Sequence, residues 1–425
     1  MLSWFKPKPK PIEYVNPYLD LLAEVMDKGV VSKHQRTGIE TRRVVGPQYE
    51  FDMANGWPLI AEREVPYKSM FAEMLWFLRG DTNARTLNVF GSKVWDEWAI
   101  NEAQAREAIQ KLELLHEGEA LEFEGTRAVA VASSGEARAL PTRLAPGALG
   151  PIYNQMWRQW PGFNDDPPID QISEVVRLLK TCPTSRRIIV TGWNPTYLPD
   201  ESLSPQENVC RGRQALPPCH TLYQFFAEET PLFDRLVTLG KSHPISLKHV
   251  LMETSLEKPF RYLSEGQYVD AIRHRPPKRP YRDFSALPPD YFEYGTKEGK
   301  LDYADRYLTH HMQVPKHRLS MKLYARSQDL PLGTVFNQAM YSALLIMFAK
   351  HLNMTPHRYI HTIGDAHIYE NQYSGVEELL SRARRPFPTL AIGNCDRPTV
   401  WGHTVSDFIP MSYDPDTRIK FPIAV

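Results

Sequence analysis

One apolar stretch near the C-terminus limits the possible fold more than any other feature of the sequence. Residues 336–348 are apolar except for Asn337, Gln338 and Ser342. The stretch is shorter than the ~20 residues that a helix needs to cross a bilayer. It therefore predicts a helix over 337–352 that is buried inside a protein. Residues 319–324 before it and 359–369 after it are predicted as strands.

The composition excludes several classes of protein. The chain has 425 residues with 50 Lys+Arg against 50 Asp+Glu, and 42 % of its residues are hydrophobic. That apolar content is too high for a chain disordered throughout. The balanced charge disfavours a dedicated nucleic-acid binder, which needs an excess of basic residues.

The four cysteines form no CxxC pair, so neither a zinc ribbon nor a redox dithiol is indicated. Four cysteines in so long a chain do not make a disulfide framework, and a reducing cytoplasm is the simplest setting. The first residues contain no apolar signal region. We expect a soluble cytoplasmic protein with no membrane association.

The pattern along the chain predicts an extended arm at residues 1–16, followed by ordered segments with three irregular insertions. The insertions are expected at about 101–148, 198–214 and 229–316. Within the first insertion, the charged first part is predicted to be helical and the part rich in small residues to be a loop. Helices are predicted over 18–26, 67–78 and 169–179, and strands over 44–53, 187–193 and 221–226.

Two clusters have competing interpretations. The basic segment 273–282 could contact a polyanion, but a solvated proline-rich loop is the simpler interpretation in a chain of neutral charge. His361, Asp365 and His367 would share one strand face, yet no further ligands accompany them. We therefore predict no metal site.

A cysteine and several arginines indicate nucleophilic chemistry on an anionic substrate. Cys219 follows two prolines and precedes a predicted strand, so a rigid turn would present its thiol. Arg326 and Ser327 lie between a strand and the apolar helix, and Arg186 and Arg187 begin another strand. Arginines in buried strands need an anionic partner, and paired guanidinium hydrogen bonds suit phosphate.

With these residues, the chain resembles the thymidylate synthase family. The resemblance runs in order through most of 18–100, 149–197, 216–227 and 319–425 and lapses at the insertions. The motifs that carry it are Arg36-Thr37-Gly38, Glu73-x-Leu75-Trp76-Phe77-Leu78-x-Gly80-Asp81-Thr82-Asn83, Trp95-Asp96-Glu97-Trp98, Gly150-Pro151-x-Tyr153, Ser185-Arg186-Arg187-Ile188-Ile189, Pro218-Cys219-His220, the block from Arg326 to Asn337, Gly364-Asp365-x-His367-x-Tyr369 and Pro422-Ile423-Ala424-Val425.

The resemblance implies an α+β fold in which a large mixed sheet packs against the central helix and against the sheet of a second subunit. Residues 17–425 would form one catalytic domain. The implied reaction transfers a carbon unit from 5,10-methylenetetrahydrofolate, the co-substrate, to C5 of dUMP. The product would be dTMP, with dihydrofolate formed alongside it.

The resemblance also implies roles for individual residues. Cys219 would add to C6 of the ring as a thiolate favoured by Arg326. Asn337 would hydrogen-bond O4 and N3 of the ring. Related enzymes that use dCMP are expected to carry Asp at this position, so Asn337 favours dUMP as the substrate. Glu73 would relay protons to O4, Tyr153 would order the water that removes the C5 proton, and His220 would lie in the same network.

Further residues would hold the nucleotide and the folate. Those implied for the phosphate are Arg36, Arg326 and Ser327, together with Arg186 and Arg187 from the other subunit of a homodimer. His367 and Tyr369 would bind the 3′-hydroxyl. Asp329 would contact the pterin, Arg63 the glutamate tail, and the pocket would be closed by Trp95, Trp98, Leu216, Phe336 and Val425.

The sequence departs from the family pattern at a few positions and leaves two alternatives open. Acidic Glu62 and Glu64 flank Arg63, Ala325 stands where Gln is expected, and Gln338 stands where an apolar residue is usual. Water entering the closed site would give 5-hydroxymethyl-dUMP and tetrahydrofolate, as in viral relatives, whose enzyme would act in the host cytoplasm. A non-catalytic nucleic-acid-binding paralogue is the remoter alternative.

Overall fold

The computed structural model describes residues 14–33, 38–243, 297–394 and 397–423. Within these residues there are eleven α-helices: α1 (Pro17–Lys28), α2 (Tyr67–Arg79), α3 (Ala84–Val89), α4 (Glu102–Lys111), α5 (Tyr153–Arg158), α6 (Gln171–Thr181), α7 (Pro205–Cys210), α8 (Leu232–Ser242), α9 (Lys297–Arg306), α10 (Val335–His351) and α11 (Tyr373–Ser381). The twelve strands are β1 (Val30–Lys33), β2 (Glu40–Val45), β3 (Gln48–Asp52), β4 (Glu119–Glu124), β5 (Arg127–Ala132), β6 (Ala137–Ala139), β7 (Ile189–Thr191), β8 (His220–Glu229), β9 (His317–Asp329), β10 (Thr355–Tyr369), β11 (Thr389–Ile392) and β12 (Phe408–Met411).

The chain divides into two compact units. The first comprises the described residues of Met1–Phe226, Ser320–Phe348 and Pro356–Val425. The second comprises the described residues of Ala227–Leu319 and Ala349–Thr355. The predicted single domain over 17–425 stays a prediction.

A seven-stranded sheet has the order β1-β2-β10-β9-β8-β7, and β3 also pairs with β10. β2 and β3 share one antiparallel register along β10, because the Gly46 N–H donates to the Gly364 carbonyl and the Ile363 N–H donates to the Pro47 carbonyl, both at 2.9 Å. The strand pair therefore continues through the turn between β2 and β3.

Contacts along the central strands show that the sheet is mixed. β8 and β9 run antiparallel, because Arg326 N–H donates to Cys219 near one end and Thr230 N–H donates to Lys316 near the other. β9 and β10 run in the same direction, because Ser320 bonds His357 and, further along both strands, Gly364 lies against the Arg326 carbonyl. A Cβ at Gly364 would lie only 2.6 Å from that carbonyl oxygen. The predicted α+β fold with a large mixed sheet is thus confirmed.

The buried helix α10 packs on this sheet, as predicted. The Trp57 indole N–H donates to the Ala339 carbonyl at 2.8 Å, and the rings of Phe225 and Phe348 lie 5.0 Å apart. A π-helical segment joins α10 to β9, and the continuous helix Leu330–His351 has 22 residues, more than the sequence pattern predicts. It is long and apolar enough to cross a membrane, but 72 % of its most apolar window is buried inside the protein, as in a core helix of a soluble protein.

Gln338, one departure from the family pattern, belongs to a buried chain of polar groups. Its Nε2 donates to the Pro58 carbonyl at 3.1 Å, and its Oε1 accepts from the Tyr49 hydroxyl at 3.1 Å. That hydroxyl also lies 2.9 Å from His361 Nδ1. Burial lowers the pKa of His361 to about 3, so the imidazole is neutral at physiological pH.

The expectation that His361 and His367 share one strand face is wrong. In the first part of β10 the buried residues are odd-numbered: Tyr359, His361 and Ile363. After Gly364 and Asp365 the buried residues Ala366 and Ile368 are even-numbered, so the buried face of the strand changes. His361 therefore lies in the core, whereas His367 lies beside Asp365 in a half-buried setting.

The first insertion contains more regular structure than predicted. Its charged first part is helical only in α4, and it continues into β4, whose residues alternate between half-buried and exposed. The part predicted as a loop forms β5 and β6, which complete a three-stranded sheet. These elements bury Ile109, Ala130 and Leu140 in a core of their own. The alternating residues of β4 and the short run of Ala and Val in β5 were the signals for strands.

The second insertion contains the short helix α7. Ser204 accepts from the Glu207 N–H at 3.2 Å, and Glu207 in turn accepts from the Ser204 N–H at 2.9 Å. This reciprocal capping box explains why an otherwise irregular stretch begins a helix.

The described part of the third insertion has its own core around a buried arginine. Leu236 of α8 and Leu308, in the π-helical turn that follows α9, are among its buried residues. The basic segment 273–282 lies outside the described residues. Arg235 is 1 % exposed and bonds the Asp305 carboxylate, the Thr309 hydroxyl and the Val314 carbonyl.

Replacing Arg235 should destabilise this second unit. The Arg235→Met substitution leaves buried acceptors without a donor, and a broken buried pair typically costs about 3–5 kcal/mol. Hydrogen exchange by mass spectrometry should show much faster exchange of the α8 amides.

Arg306→Met is the matched control, because Arg306 pairs with Asp302 on the surface and such pairs contribute at most about 1 kcal/mol. Equal exchange in the two variants would contradict the structural role of Arg235.

Candidate active site

Cys219 lies at the entry to β8 with its side chain exposed. Arg326, on the neighbouring strand β9, holds the turn before it: its Nε donates to the Pro218 carbonyl at 2.8 Å and its Nη2 to the Pro217 carbonyl at 3.1 Å. The same Nη2 lies 3.8 Å from the Cys219 sulfur. A guanidinium at this position favours a thiolate, and an exposed thiolate is a nucleophile. The structure thus brings the predicted nucleophile and its predicted arginine together.

Tyr153 and His220 form a stacked pair beside the cysteine. The Cys219 N–H donates to the Tyr153 hydroxyl at 2.7 Å. The rings of Tyr153 and His220 are parallel with centroids 3.9 Å apart, and His220 Nδ1 hydrogen-bonds the Tyr341 hydroxyl. Burial lowers the pKa of His220 to about 3 and raises the pKa of Tyr153 well above its ordinary value. Both side chains are therefore neutral at physiological pH and orient neighbours without carrying charge.

Glu73, on α2, is the carboxyl group of the site whose pKa lies near neutral pH. Burial raises its pKa from 4.5 to about 7, although a hydrogen bond from the Trp95 indole, at 2.7 Å, favours the charged carboxylate. The Trp95 ring that donates to Glu73 lies 6.2 Å from the Tyr153 ring, centroid to centroid, so Trp95 connects the two groups. A carboxyl group that titrates near neutral pH can both give and take a proton.

Asn337 lies in the first turn of α10, where the chain enters the helix from β9. Its Nδ2 donates to Gln328 Oε1 at 3.3 Å, and its side chain is half-buried. Ser327, next to Arg326 on β9, is also half-buried. The amide of Asn337 offers one acceptor and a second N–H for a ligand.

Asp329 ends β9 and caps the following helical turn. Its Oδ1 accepts from the Leu332 N–H at 3.1 Å, and its Oδ2 accepts from Gln372 Nε2 at 2.9 Å. Burial raises the pKa of the carboxyl, an effect that the Gln372 hydrogen bond opposes. Leu216 and Phe336, predicted to line the pocket, are both half-buried.

His367 and Tyr369 lie side by side on β10, with ring centroids 5.1 Å apart in an edge-on arrangement. His367 Nδ1 lies 3.1 Å from Asp365, and Asp365 also pairs with Arg43 at 3.1 Å. Within the described residues, no group of three His, Cys, Asp or Glu side chains is placed to hold a metal ion.

Arg186 and Arg187 do not lie in a buried strand, contrary to the pattern-based expectation. β7 covers only Ile189–Thr191, and both arginines precede it with exposed side chains. Because they are exposed, Arg186 and Arg187 do not need an anionic partner to offset burial. They remain free to reach a group outside this chain.

Arg63 is less accessible than its predicted role suggests. Its side chain is 4 % exposed, its Nη2 donates to the Pro331 carbonyl at 2.7 Å, and its guanidinium lies over the Phe421 ring. Burial lowers its pKa from the ordinary value. Arg36 and Val425, also predicted to contact substrates, lie outside the described residues.

Trp95 and Trp98 form an aromatic wall near Glu73, with ring centroids 5.8 Å apart. Sequence reasoning missed Gln328 and Tyr341, which contact Asn337 and His220. A polar residue between Ser327 and Asp329 was the only signal for Gln328, and Tyr341 was hidden among the apolar residues of α10.

Comparison with known proteins identifies the family of the chain. The family model described as thymidylate synthase matches residues 16–243 and 306–425. A thymidylate synthase of Pseudomonas fluorescens (strain SBW25) is 29 % identical over 408 residues, covering 96 % of this chain and 99 % of that protein. The chain belongs to the thymidylate synthase family, whose members are methyltransferases that act on dUMP with methylenetetrahydrofolate as co-substrate. The resemblance found in the sequence is confirmed.

The raised pKa of Glu73 predicts a specific pH dependence of stability. The folded protein holds the proton of the Glu73 carboxyl group more tightly than the unfolded chain does. The stability that this proton adds is fully present below about pH 4.5 and is lost as the pH rises through about 7. The unfolding free energy of the wild type relative to Glu73→Gln should therefore fall by up to about 3 kcal/mol across this range.

Urea unfolding of both proteins at a series of pH values measures this difference. Glu97→Gln, at an exposed glutamate, is the control and should leave the profile unchanged. Parallel profiles for the wild type and Glu73→Gln would show that the carboxyl titrates normally.

Proposed function

We propose that this protein is a thymidylate synthase that transfers the one-carbon unit of 5,10-methylenetetrahydrofolate to C5 of dUMP, giving dTMP and dihydrofolate. The observation that supports it most directly is the exposed Cys219 thiol, which has the Arg326 guanidinium 3.8 Å from its sulfur. The Glu73 carboxyl, with its pKa near 7, belongs to the same cluster.

In the first step, the Cys219 thiolate adds to C6 of the uracil ring. A C–S bond forms, and the electron pair of the C5–C6 double bond moves to C5 and O4, which makes C5 nucleophilic. Arg326 favours the thiolate before the attack. Loss of the sulfur from C6 at the end of the cycle restores the ring and the thiolate.

Neighbouring residues handle the ring and its protons. Asn337 hydrogen-bonds O4 and N3, and Glu73 relays a proton through water to O4, where negative charge develops. Tyr153, held by the Cys219 N–H and the His220 ring, orders the water that takes the C5 proton. His220 stays neutral and acts by holding Tyr153.

The residues present fit a folate. When bound, methylenetetrahydrofolate supplies the one-carbon unit and, for methylation, the hydride. The half-buried Trp98 ring, which packs edge-on against the buried Trp95, offers apolar surface to a pterin, and Asp329 offers a hydrogen-bonding carboxyl group. Leu216, Phe336 and Val425 are proposed to close the pocket.

Arg63 is proposed to act on the glutamate tail of the folate. Its Nε has no hydrogen-bond partner within the described residues, which leaves a donor for an acceptor group. Its burial restricts that contact to a group that comes close to the Phe421 ring.

The nucleotide phosphate is proposed to lie among Arg36, Arg326 and Ser327, with His367 and Tyr369 at the 3′-hydroxyl. Arg186 and Arg187 are proposed to reach the phosphate of a second subunit, so the active form would be a cytoplasmic homodimer. Their exposure next to β7, an edge strand of the large sheet, supports this assignment.

The product formed from dUMP and methylenetetrahydrofolate tests the reaction. Mass spectrometry should show the gain of a methyl group on the nucleotide together with dihydrofolate, because Trp95 and the C-terminal residues Ile423, Ala424 and Val425 are proposed to keep water from the exocyclic carbon. A hydroxymethyl gain with tetrahydrofolate released would instead identify a dUMP hydroxymethylase.

Cysteine variants test whether Cys219 is the nucleophile. Cys219→Ala should lower turnover at least about 1000-fold, since no other group can form the bond to C6. Cys182→Ala is the control, because Cys182 is also an exposed free cysteine, and it should keep wild-type turnover. No turnover in the wild type would favour a non-catalytic paralogue.

Mixing two inactive variants tests whether Arg186 and Arg187 act in the active site of the other subunit. Cys219→Ala and the double variant Arg186→Ala/Arg187→Ala should each have low activity. Mixed dimers contain one intact site, so a refolded equimolar mixture should recover about one quarter of wild-type activity.

The control is a mixture of Cys219→Ala with a chain that carries Cys219→Ala, Arg186→Ala and Arg187→Ala together. This mixture should recover no activity, because none of its chains has Cys219. If the first mixture is no more active than the two variants measured separately and added, the result would contradict a site shared between subunits.

A further inference from the structure

Gln328 lies beneath the proposed pyrimidine contact and has no role in the mechanism above. It is 3 % exposed, on β9 between Ser327 and Asp329. Its Oε1 accepts from Asn337 Nδ2 at 3.3 Å and from the Thr334 hydroxyl at 3.1 Å. The side chain therefore connects the end of β9 to the start of α10.

One end of this buried amide is unsatisfied. Gln328 Nε2 has no hydrogen-bond partner within the described residues. A buried donor without a partner is costly, and an apolar side chain of similar length would avoid that cost. An unsatisfied group in a folded protein calls for a specific explanation.

The contact with Asn337 provides that explanation. Nδ2 of Asn337 has two hydrogens, and one of them is used by Gln328. The other hydrogen and the Oδ1 acceptor remain for a ligand. If the Asn337 amide turned over, two oxygens would face each other, which is unfavourable while Gln328 keeps its own orientation.

We infer that Gln328 is a positioning residue that sets which pyrimidine this site accepts, by holding the Asn337 amide with Oδ1 toward the ring N3. Uracil carries a hydrogen on N3 and an acceptor at O4, which complement Oδ1 and the free N–H of Asn337. Cytosine has an acceptor at N3 and a donor at N4, so the same orientation opposes it. This inference rests on the proposed function, which takes dUMP as the substrate.

The Thr334 hydroxyl sets the direction of the Gln328 amide. It donates to Gln328 Oε1 at 3.1 Å, closer than its contact of 3.3 Å with the Asp329 carbonyl. Turning the Gln328 amide over would give up this hydrogen bond, so Gln328 presents the same oxygen to Asn337 Nδ2. Removing the Gln328 acceptor should release Asn337.

The test compares the equilibrium binding of dUMP and dCMP by titration calorimetry, together with kcat and KM for each nucleotide. In Gln328→Met, which keeps the length of the side chain and removes its oxygen, the preference for dUMP over dCMP should fall about tenfold or more. In Gln328→Glu, whose oxygens still accept from Asn337, the preference should stay within about threefold of the wild type. Gln328→Leu serves if the methionine variant does not fold.

Gln214→Met is the matched control. Gln214 is a buried glutamine whose Nε2 donates to the Pro151 carbonyl at 2.9 Å and whose Oε1 has no partner within the described residues. Its replacement should lower thermal stability without changing the ratio of dUMP to dCMP affinities. A purely structural role for Gln328 would give this same pattern.

The outcomes separate this inference from the proposed function. An unchanged ratio in a folded Gln328→Met or Gln328→Leu protein, with a wild type that prefers dUMP, would overturn the role of Gln328 alone. A wild type that binds neither nucleotide would overturn the proposed function and this inference with it.

Discussion

Helix α10 is buried on nearly every side, so each polar group that it carries must find a partner inside the protein. Gln338 bonds Pro58 and Tyr49, and Tyr341 bonds His220. Asn337 bonds Gln328 on the strand that leads into the helix. These contacts fix the rotation of the helix against the sheet. The groups proposed to recognise the pyrimidine are thus positioned by the same contacts that satisfy the core.

Burial also sets the charge state of the site. His220 and His361 lose their positive charge because they are desolvated, and Glu73 keeps its proton up to about pH 7 for the same reason. The cationic group of the Cys219 cluster is then the Arg326 guanidinium. A thiolate next to Arg326 therefore meets a positive charge on one side and neutral rings on the other. In the proposed reaction, this arrangement would separate activation of Cys219 from proton transfer at Glu73.

Much of this arrangement was predictable because it depends on local patterns and contiguous motifs. The apolar run predicted α10, and α2 ends at Gly80 in the left-handed conformation expected of a glycine cap. The pairing of Cys219 with Arg326 came from the family resemblance. Buried Gln328 and the phase change along β10 depend on tertiary contacts that leave no periodic signal. In the first insertion, charged residues that are common in helices form β4, and small residues that are common in loops form β5 and β6.

The departures from the family pattern are explained by local compensation. Glu62, where a basic residue is usual, is buried and accepts hydrogen bonds from the backbone N–H groups of Ala61 and Arg385. Gln338 is matched by the Tyr49 hydroxyl, which an apolar residue would leave with one partner fewer. A buried polar side chain is tolerated when its partners are supplied along with it. The Glu62 carboxylate therefore satisfies two backbone N–H groups, while the guanidinium of the neighbouring Arg63 lies over the Phe421 ring.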